Sequence, residues 1–328
     1  MSCFRSRAST AILAAFLTAI GALPAPSADY ADLLTPEIED AIERGLSYLA
    51  AIQNPDGTWG TRYKVGVTAL SLLAFMSVGY LPGEPPYGDM LDNAVRFLLR
   101  ESELKDGYMG VNMYEHALAT LALSEVWGMS GEEGIGEAVK RGVRVIIQAQ
   151  SPMGGWRYTP TPLDADISVT VMQIVALASA KEAGVYVPDE TIKRALDYVK
   201  SLQHPSGGFG YQNSANPGFA RTAAGVVSLM LCGERDSEAV RRGLNYLLST
   251  PSFVGTRFFY YGHYYAVQAV FQAGDKYFRD WYPRISEVLL AKQHADGSWP
   301  QTQDIGYSTA MAILTLAVPY QFLPIYGR

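Results

Sequence analysis

RGLSYLAAIQNPDGTWG, residues 44–60, reads as the end of a helix running into a tight loop. Leu46, Leu49 and Ile52 keep one helix face apolar, and Pro55 with Gly57 stops the helix. VGVTALSLLAFMSVG (65–79) follows, apolar nearly all round, which predicts a second and more buried helix. The landmark recurs. A glutamine stands six residues before an aromatic in Gln53 and Trp59, Gln150 and Trp156, Gln203 and Phe209, and Gln293 and Trp299. Recurrence at intervals near fifty residues, or twice that, marks a repeat architecture.

The helix–loop–helix outline returns at 90–129, 137–184, 191–233, 238–274 and 284–318. SELKDGYMG (102–110) lacks the glutamine, and STPSFVGTRFF (249–259) lacks both halves of the pattern. Beta-branched residues fall inside helical periods, not in alternating runs, so the chain reads as all-α. Six hairpins are enough to close into a ring of six inner and six outer helices, about twelve in all. Closure removes the polar end caps that an open solenoid requires. The apolar end, LAVPYQFLPIYGR (316–328), is placed to seal the join between last and first units.

Ahead of the repeats, Arg5 and Arg7 precede an apolar run from Ala11 to Leu23 and then small residues at Ala25, Ser27 and Ala28. That order reads as a secretory signal peptide over 1–28, leaving one domain over 29–328 and an exported protein. The run is too short for a bilayer, which needs about 20 residues, and no later stretch reads as transmembrane. Loss of the two arginines takes the net charge from −6 to −8. An acidic chain without a dense basic run is no nucleic-acid binder. Cys3 leaves with the signal, so the remaining Cys232 cannot form an intrachain disulfide.

RGLSYLAAIQNPDGTW resembles the QW motif of triterpene cyclases, as do KRGVRVIIQAQSPMGGW (140–156), RALDYVKSLQHPSGGF (194–209) and RISEVLLAKQHADGSW (284–299). The resemblance implies the α/α toroid shared by squalene cyclases and protein prenyltransferase β subunits. One departure is large. Triterpene cyclases carry two helical domains with the cavity between them, and this chain has length for one toroid.

Aligning the second helices by their small residues gathers their N-terminal ends at one rim. That rim offers Tyr63 and Lys64, Tyr114, Glu115 and His116, Asp164 and Asp166, Phe219 and Arg221, Tyr261, His263 and Tyr265, and Asp304 with Tyr307, over an interior of Ala, Val, Leu and Met. A polar mouth over an apolar cup is the ordinary form of a ligand site. LDADISVT (163–170) resembles the D-x-D-D motif of squalene-hopene and class II diterpene cyclases, with Ile167 in place of the last aspartate. Carried over by position, Asp166 is the proton donor and Asp164 its partner. The plainer reading makes Asp166 a helix N-cap. His263, within FFYYGHYYAVQ (258–268), is placed to bias that acid or to take a product proton, and the flanking tyrosines to stabilise a cation. They read equally as packing residues.

The zinc prenyltransferase pattern is not met: Asp164-Ala165-Asp166 and Asp304-Ile305-Gly306 lack its cysteine. No DDxxD run stands for magnesium. The expectation is therefore a toroid without metal or cofactor. Its partner is a hydrophobic small molecule, an isoprenoid or another lipid. Three functions stay open: a proton-initiated isoprenoid cyclase using Asp166, a non-catalytic lipid- or protein-binding module, and a polysaccharide-active enzyme with paired carboxylates.

Overall fold

The fold was described in a computed structural model that covers residues 30–250 and 258–326. The expected signal peptide, 1–28, lies outside the described residues. Six helical hairpins follow one another: α1 (Pro36–Ala51) with α2 (Lys64–Met76), α3 (Gly88–Leu104) with α4 (Met113–Ser130), and α5 (Glu133–Gln148) with α6 (Ile167–Glu182). Then come α7 (Asp189–Ser201) with α8 (Phe219–Leu231), α9 (Glu238–Ser249) with α10 (Phe259–Ala273), and α11 (Asp275–Lys292) with α12 (Tyr307–Leu316). Among the described residues there is no strand, only an isolated bridge between Gln203 and Phe209.

The even-numbered helices make the inner ring. Each packs on the next, and α12 packs on α2, so the ring is closed. Their composition dictates that position. In α2 every residue from Val65 to Met76 is buried, whereas α1 buries one stripe that includes Ile38, Ile42, Leu46 and Leu49. Burying each such side chain stabilises the fold by about 1.5–3 kcal/mol relative to leaving it in water.

The repeated glutamine clamps neighbouring hairpins together. Gln53 Nε2 donates to the Gly57 carbonyl of its own loop (3.1 Å) and to Met90 in α3 (2.9 Å). Gln150 bridges Gly154 and Thr191, and Gln203 bridges Gly207 and Ala239. Gln293 bridges Gly297 (3.0 Å) and Ala41 (2.8 Å), which ties the last loop to the first helix. The loop glycine has a matching reason. Gly297 has φ +87°, and a Cβ there would stand 2.3 Å from the Arg44 carbonyl oxygen, a clash that only glycine avoids.

The aromatic of the motif is equally fixed. Trp59, Trp156 and Trp299 are fully buried, and each indole N–H donates to a carbonyl of the preceding outer helix, Leu49, Ile146 and Leu289, at 2.7–2.8 Å. Their backbone N–H groups, with that of Phe209, donate to inner-helix threonines: Thr68, Thr170, Thr222 and Thr309.

Two expectations shift in detail. The last unit begins at Asp275, not at 284, and α11 runs through Pro283. The backbone hydrogen bond that proline forfeits is offset by burial of Phe278, Trp281 and Tyr282 before it and of Ile285 and Leu289 after it. The C-terminal segment reaches further than the join. Val318–Tyr320 packs on α10, α12 and the first turn (Ala31–Leu33), and Pro324–Tyr326 continues to α4 and α6 at the end opposite the inner-helix N-termini.

Candidate functional site

The N-terminal ends of the inner helices surround a cavity of about 780 Å³. Six tyrosines line it, one from each hairpin: Tyr63, Tyr114, Tyr158, Tyr211, Tyr261 and Tyr307. Tyr158 and Tyr211 come from the loops before α6 and α8, and the others head or occupy the first turn of their inner helices. Val67, Leu70 and Leu118 line the wall deeper along α2 and α4. Burial raises the Tyr114, Tyr261 and Tyr307 phenols far above the usual range, so these rings face the cavity as neutral aromatics.

Of the rim residues read from the sequence, Tyr63, Tyr114, Glu115, Phe219, Arg221, Tyr261, Asp304 and Tyr307 stand on the cavity wall. Asp304 is a nearly buried carboxylate whose oxygens accept from the backbone N–H groups of Thr61, Arg62 and Tyr63 at 2.8–3.1 Å and from the Thr61 hydroxyl at 2.7 Å. Burial pushes its pKa up, but these donors outweigh burial and hold it at about 2. Asp304 therefore joins the loop before α12 to the start of α2 as a fixed anion, with its lone pairs already occupied.

The other six, Lys64 included, lie off the wall. Asp166 is fully buried and caps α6, its Oδ1 accepting from Val169 N–H at 2.9 Å, and its Oδ2 lies 3.3 Å from Arg157 Nε. Burial raises its pKa, while the Val169 N–H and Arg157 oppose the rise. Asp164 is half exposed and pairs with the same arginine at 2.7 Å. The two aspartates thus share a cation instead of a proton. His263 is buried among Phe259, Phe219 and Trp281, with ring centroids 4.6–6.0 Å away. Tyr265 lies behind Tyr261, edge-on at 4.9 Å, with its hydroxyl on Met172 Sδ.

His116 has a structural task. Its Nδ1 accepts from Met109 N–H at 3.1 Å and its Nε2 donates to the Gly142 carbonyl at 3.1 Å. It thereby accepts from its loop as the threonines do in four other hairpins, and its second nitrogen ties the loop to α5. Burial lowers its pKa to about 4, so the ring is neutral and ready for that role.

Two wall tyrosines were not among the expected rim residues. Tyr158 and Tyr211 each follow the motif aromatic by two residues (Trp156 and Phe209), a signal that was present in the sequence. Glu115 is a buried carboxyl on the wall, with Oε2 accepting from Gly66 N–H at 3.0 Å. Burial raises its pKa against the pull of the Gly66 and Val111 amides. Arg221, in the first turn of α8, makes no ion pair among the described residues, where no group of His, Cys, Asp and Glu side chains is arranged to hold a metal.

A family model described as the squalene-hopene cyclase C-terminal domain matches residues 119–258. The drimenyl diphosphate synthase of Streptomyces showdoensis is 30% identical over 181 residues, 52% of this chain and 32% of its own length. The squalene–hopene cyclase of Bradyrhizobium diazoefficiens is 27% identical over 232 residues, 66% of this chain and 30% of its own. The chain thus spans about a third of the length of these curated relatives. The type II terpene cyclase MstE from Scytonema, solved with geranylgeranyl dihydroxybenzoate, shares the fold with a TM-score of 0.64 at 15% identity, covering 90% of this chain and all of that one. An α-1,6-mannanase of Salegentibacter sp. HEL1_6 shares it with a TM-score of 0.65 at 11% identity, covering 85% and 98%. Likeness at these identities shows architecture alone, and the same ring serves lipid and sugar chemistry. The repeated glutamine–aromatic clamps and the match over 119–258 make this all-α toroid similar to the squalene-hopene cyclase C-terminal domain.

Proposed function

We propose that the cavity holds an isoprenoid lipid. The tyrosine ring carries this reading: six aromatic faces, one per hairpin, over an apolar wall. The cavity volume falls within the roughly 300–1,000 Å³ typical of small-molecule sites. Aromatic rings and aliphatic side chains suit a branched, unsaturated chain, whereas a sugar would ask for many more hydrogen-bonding groups. The relatives add support, since they include cyclases whose names specify isoprenoid substrates or products. Extraction of the purified mature protein with organic solvent, followed by mass spectrometry, tests the proposal. Titration with farnesol and squalene completes the test. A bound or titratable isoprenoid is the expected result. Absence of both would sink the reading and favour a protein-binding toroid. The proposal extends to export: the protein recovered from outside the cytoplasm should begin near residue 29.

A second reading, proton-initiated cyclisation, is favoured by one observation. Glu115 is a carboxyl with a raised pKa on an aromatic wall, where a neutral acid can meet an alkene. Its proton would add to a terminal C=C, leaving a carbocation for the tyrosine faces to stabilise and a carboxylate to take the proton back. Asp166, the acid suggested by motif position, would have to act through the Tyr158–Tyr211 side of the wall. Glu115→Gln and Asp166→Asn separate the two. Loss of cyclised product only in the first assigns the acid to Glu115, loss only in the second assigns it to Asp166, and no product from the parent protein leaves the binder reading.

A further inference from the structure

We infer that the mouth of the ring docks a second copy of this chain, set mouth to mouth about a two-fold axis, and that the cavity is closed to water only in that pair. Exposure and charge carry this reading, whatever ligand the cavity takes. Eight large apolar side chains stand exposed among the described residues. Seven of them lie at the mouth end, where outer helices stop and loops lead into inner ones, and Tyr186 alone lies at the other end. Leu104 is 78% exposed, Leu163 76% and Val111 70%. Single apolar residues on a surface mean little, but a set gathered at one end marks a contact face. Tyr158 belongs both to this set and to the cavity wall, so the apolar rim runs into the cavity.

The rim is divided. Leu104 and Val111 come from hairpin two, Tyr158 and Leu163 from hairpin three, and Phe258 and Ile305 from hairpins five and six. In a closed ring of six, hairpins two and three lie across the mouth from five and six. Hairpins one and four separate them, with Arg62 exposed in the first and Gln212, Asn213 and Asn216 exposed in the second. Turning a copy over about the diameter through hairpins one and four lays hairpin two on hairpin six and hairpin three on hairpin five. Leu104 and Val111 then meet Ile305, Leu163 meets Phe258, and the two-fold axis repeats both contacts.

Charge selects this occupant. The loops at the far end, 77–88, 130–134, 182–190, 232–238 and 274–276, hold ten Asp and Glu against two Lys and Arg. The described loops at the mouth, 52–64, 104–113, 149–166, 202–219 and 292–307, hold six against five. Three of those five cations already pair within the chain, Lys64 with Asp56, Lys105 with Glu101 and Arg157 with Asp164. Two acidic ends repel each other, so copies approach best by their balanced mouths, which also sets the acidic ends farthest apart. An anionic bilayer asks for an excess of cations beside a continuous apolar rim, and this rim has neither. The face is also large enough. Helices spaced about 10 Å apart in two rings give a disc of roughly 1,200 Å², and a stable interface needs about 800 Å² from each partner.

Sedimentation velocity on the purified mature protein, across a dilution series, tests the pair. The parent should run as a dimer that dissociates on dilution. Leu163→Glu and Phe258→Glu should each weaken the dimer on the order of ten-fold or more, because each sets a charge against an apolar partner. Tyr186→Glu, at the far end, should leave it within about two-fold. All three side chains are exposed in the single ring, so circular dichroism should stay that of the parent. Oxidative cross-linking reads the register. A mixture of Val111→Cys and Ile305→Cys should cross-link and either variant by itself should not, with the parent, whose Cys232 lies at the far end, as the blank. A parent that stays monomeric at every concentration would overturn the inference, and flotation of that monomer with phosphatidylglycerol vesicles would name a bilayer as the occupant instead. A dimer that neither glutamate weakens would overturn it too, since the copies then meet elsewhere. Cross-linking of Val111→Cys with itself, as strong as in the mixture, would overturn the axis through hairpins one and four.

Discussion

The outer loops and the inner mouth of the ring are built from the same six repeats, yet they differ in one respect. At the outer loops the copies do the same thing: Gln53, Gln150, Gln203 and Gln293 each bridge their own loop and the next outer helix with nearly equal bonds. Hairpin two lacks the glutamine, and His116 performs a related task there. At the mouth, only the tyrosine repeats. The other wall positions differ: Glu115 binds the Gly66 amide, Asp304 binds the amides of Thr61 to Tyr63, and Arg221 has no ion pair among the described residues. Where copies agree, the residue holds the ring together. Where they diverge, the residue answers to its own surroundings and not to the repeat.

The largest expected effect tests the repeated side of that comparison. Trp299→Ala removes a fully buried ring and its bond to the Leu289 carbonyl, and Gly45 sits against that indole. The loss should be about 3–5 kcal/mol, read as a lower urea midpoint. Trp59→Ala and Trp156→Ala should cost similar amounts, because their environments repeat. A cost below about 1 kcal/mol at any of them would break the equivalence of the loops.

A buried acid at the far end of the ring comes next. Glu125 accepts from the Ser179 hydroxyl (2.5 Å) and faces the Ile325 N–H of the C-terminal segment. Burial raises its pKa to about 7 from an ordinary 4.5. The proton is therefore held more tightly in the folded state. The associated stability is fully present below about pH 4.5 and is lost as pH rises through about 7. The difference amounts to roughly 3 kcal/mol. Glu125→Gln should flatten that part of the pH profile between pH 4 and 8. Asp304 does not intrude, since its lowered pKa places its own loss below about pH 4. An unchanged slope in the variant would remove Glu125 as its source.

Gln293→Ala should cost less, about 1–3 kcal/mol, by leaving the Ala41 and Gly297 carbonyls without their shared donor. Its seam joins the two ends of the chain, so hydrogen exchange should rise in α1 and α11 before it rises in α5 or α6. Uniform exchange across all hairpins would show that the ring opens as one unit.

The ring was legible in the sequence because its physics is local and repeated. A glutamine, a glycine and an aromatic at fixed spacing specify a helix end, a left-handed loop residue and a buried plug, and four copies make the period plain. The mouth was legible only by register. Aligning the inner helices brought Tyr114, Tyr261 and Tyr307 to the wall, but alignment cannot say which way a side chain leaves a loop. Tyr158 and Tyr211 approach from loops of different length and escaped notice. His116 was read as a mouth residue because its threonine-like role, accepting from Met109 N–H, shows only once the loop is folded back on α4. Asp166 was read through the aspartates beside it, while its actual partner, Arg157, lies nine residues earlier.

The smallest expected effect falls on the residue that the sequence made most prominent. Asp166 Oδ1 caps α6 through Val169 N–H, and an asparagine side-chain oxygen caps equally well. The exchange gives up only the charge facing Arg157 at 3.3 Å, and Arg157 keeps its shorter bond to Asp164. It also relieves the burial that opposes ionisation at this site. Asp166→Asn should therefore move stability by no more than about 1 kcal/mol near neutral pH, and Asp166→Ala should cost more because it removes the cap itself. Thermal denaturation of the two variants side by side reads that order. If Asn is as damaging as Ala, the charge matters more than the cap, and the pair with Arg157 becomes the feature that holds the loop before α6 against the cavity. If only Ala is damaging, Asp166 belongs with the glutamines and tryptophans of the framework, and the chemistry of the mouth rests with the groups that no other repeat carries.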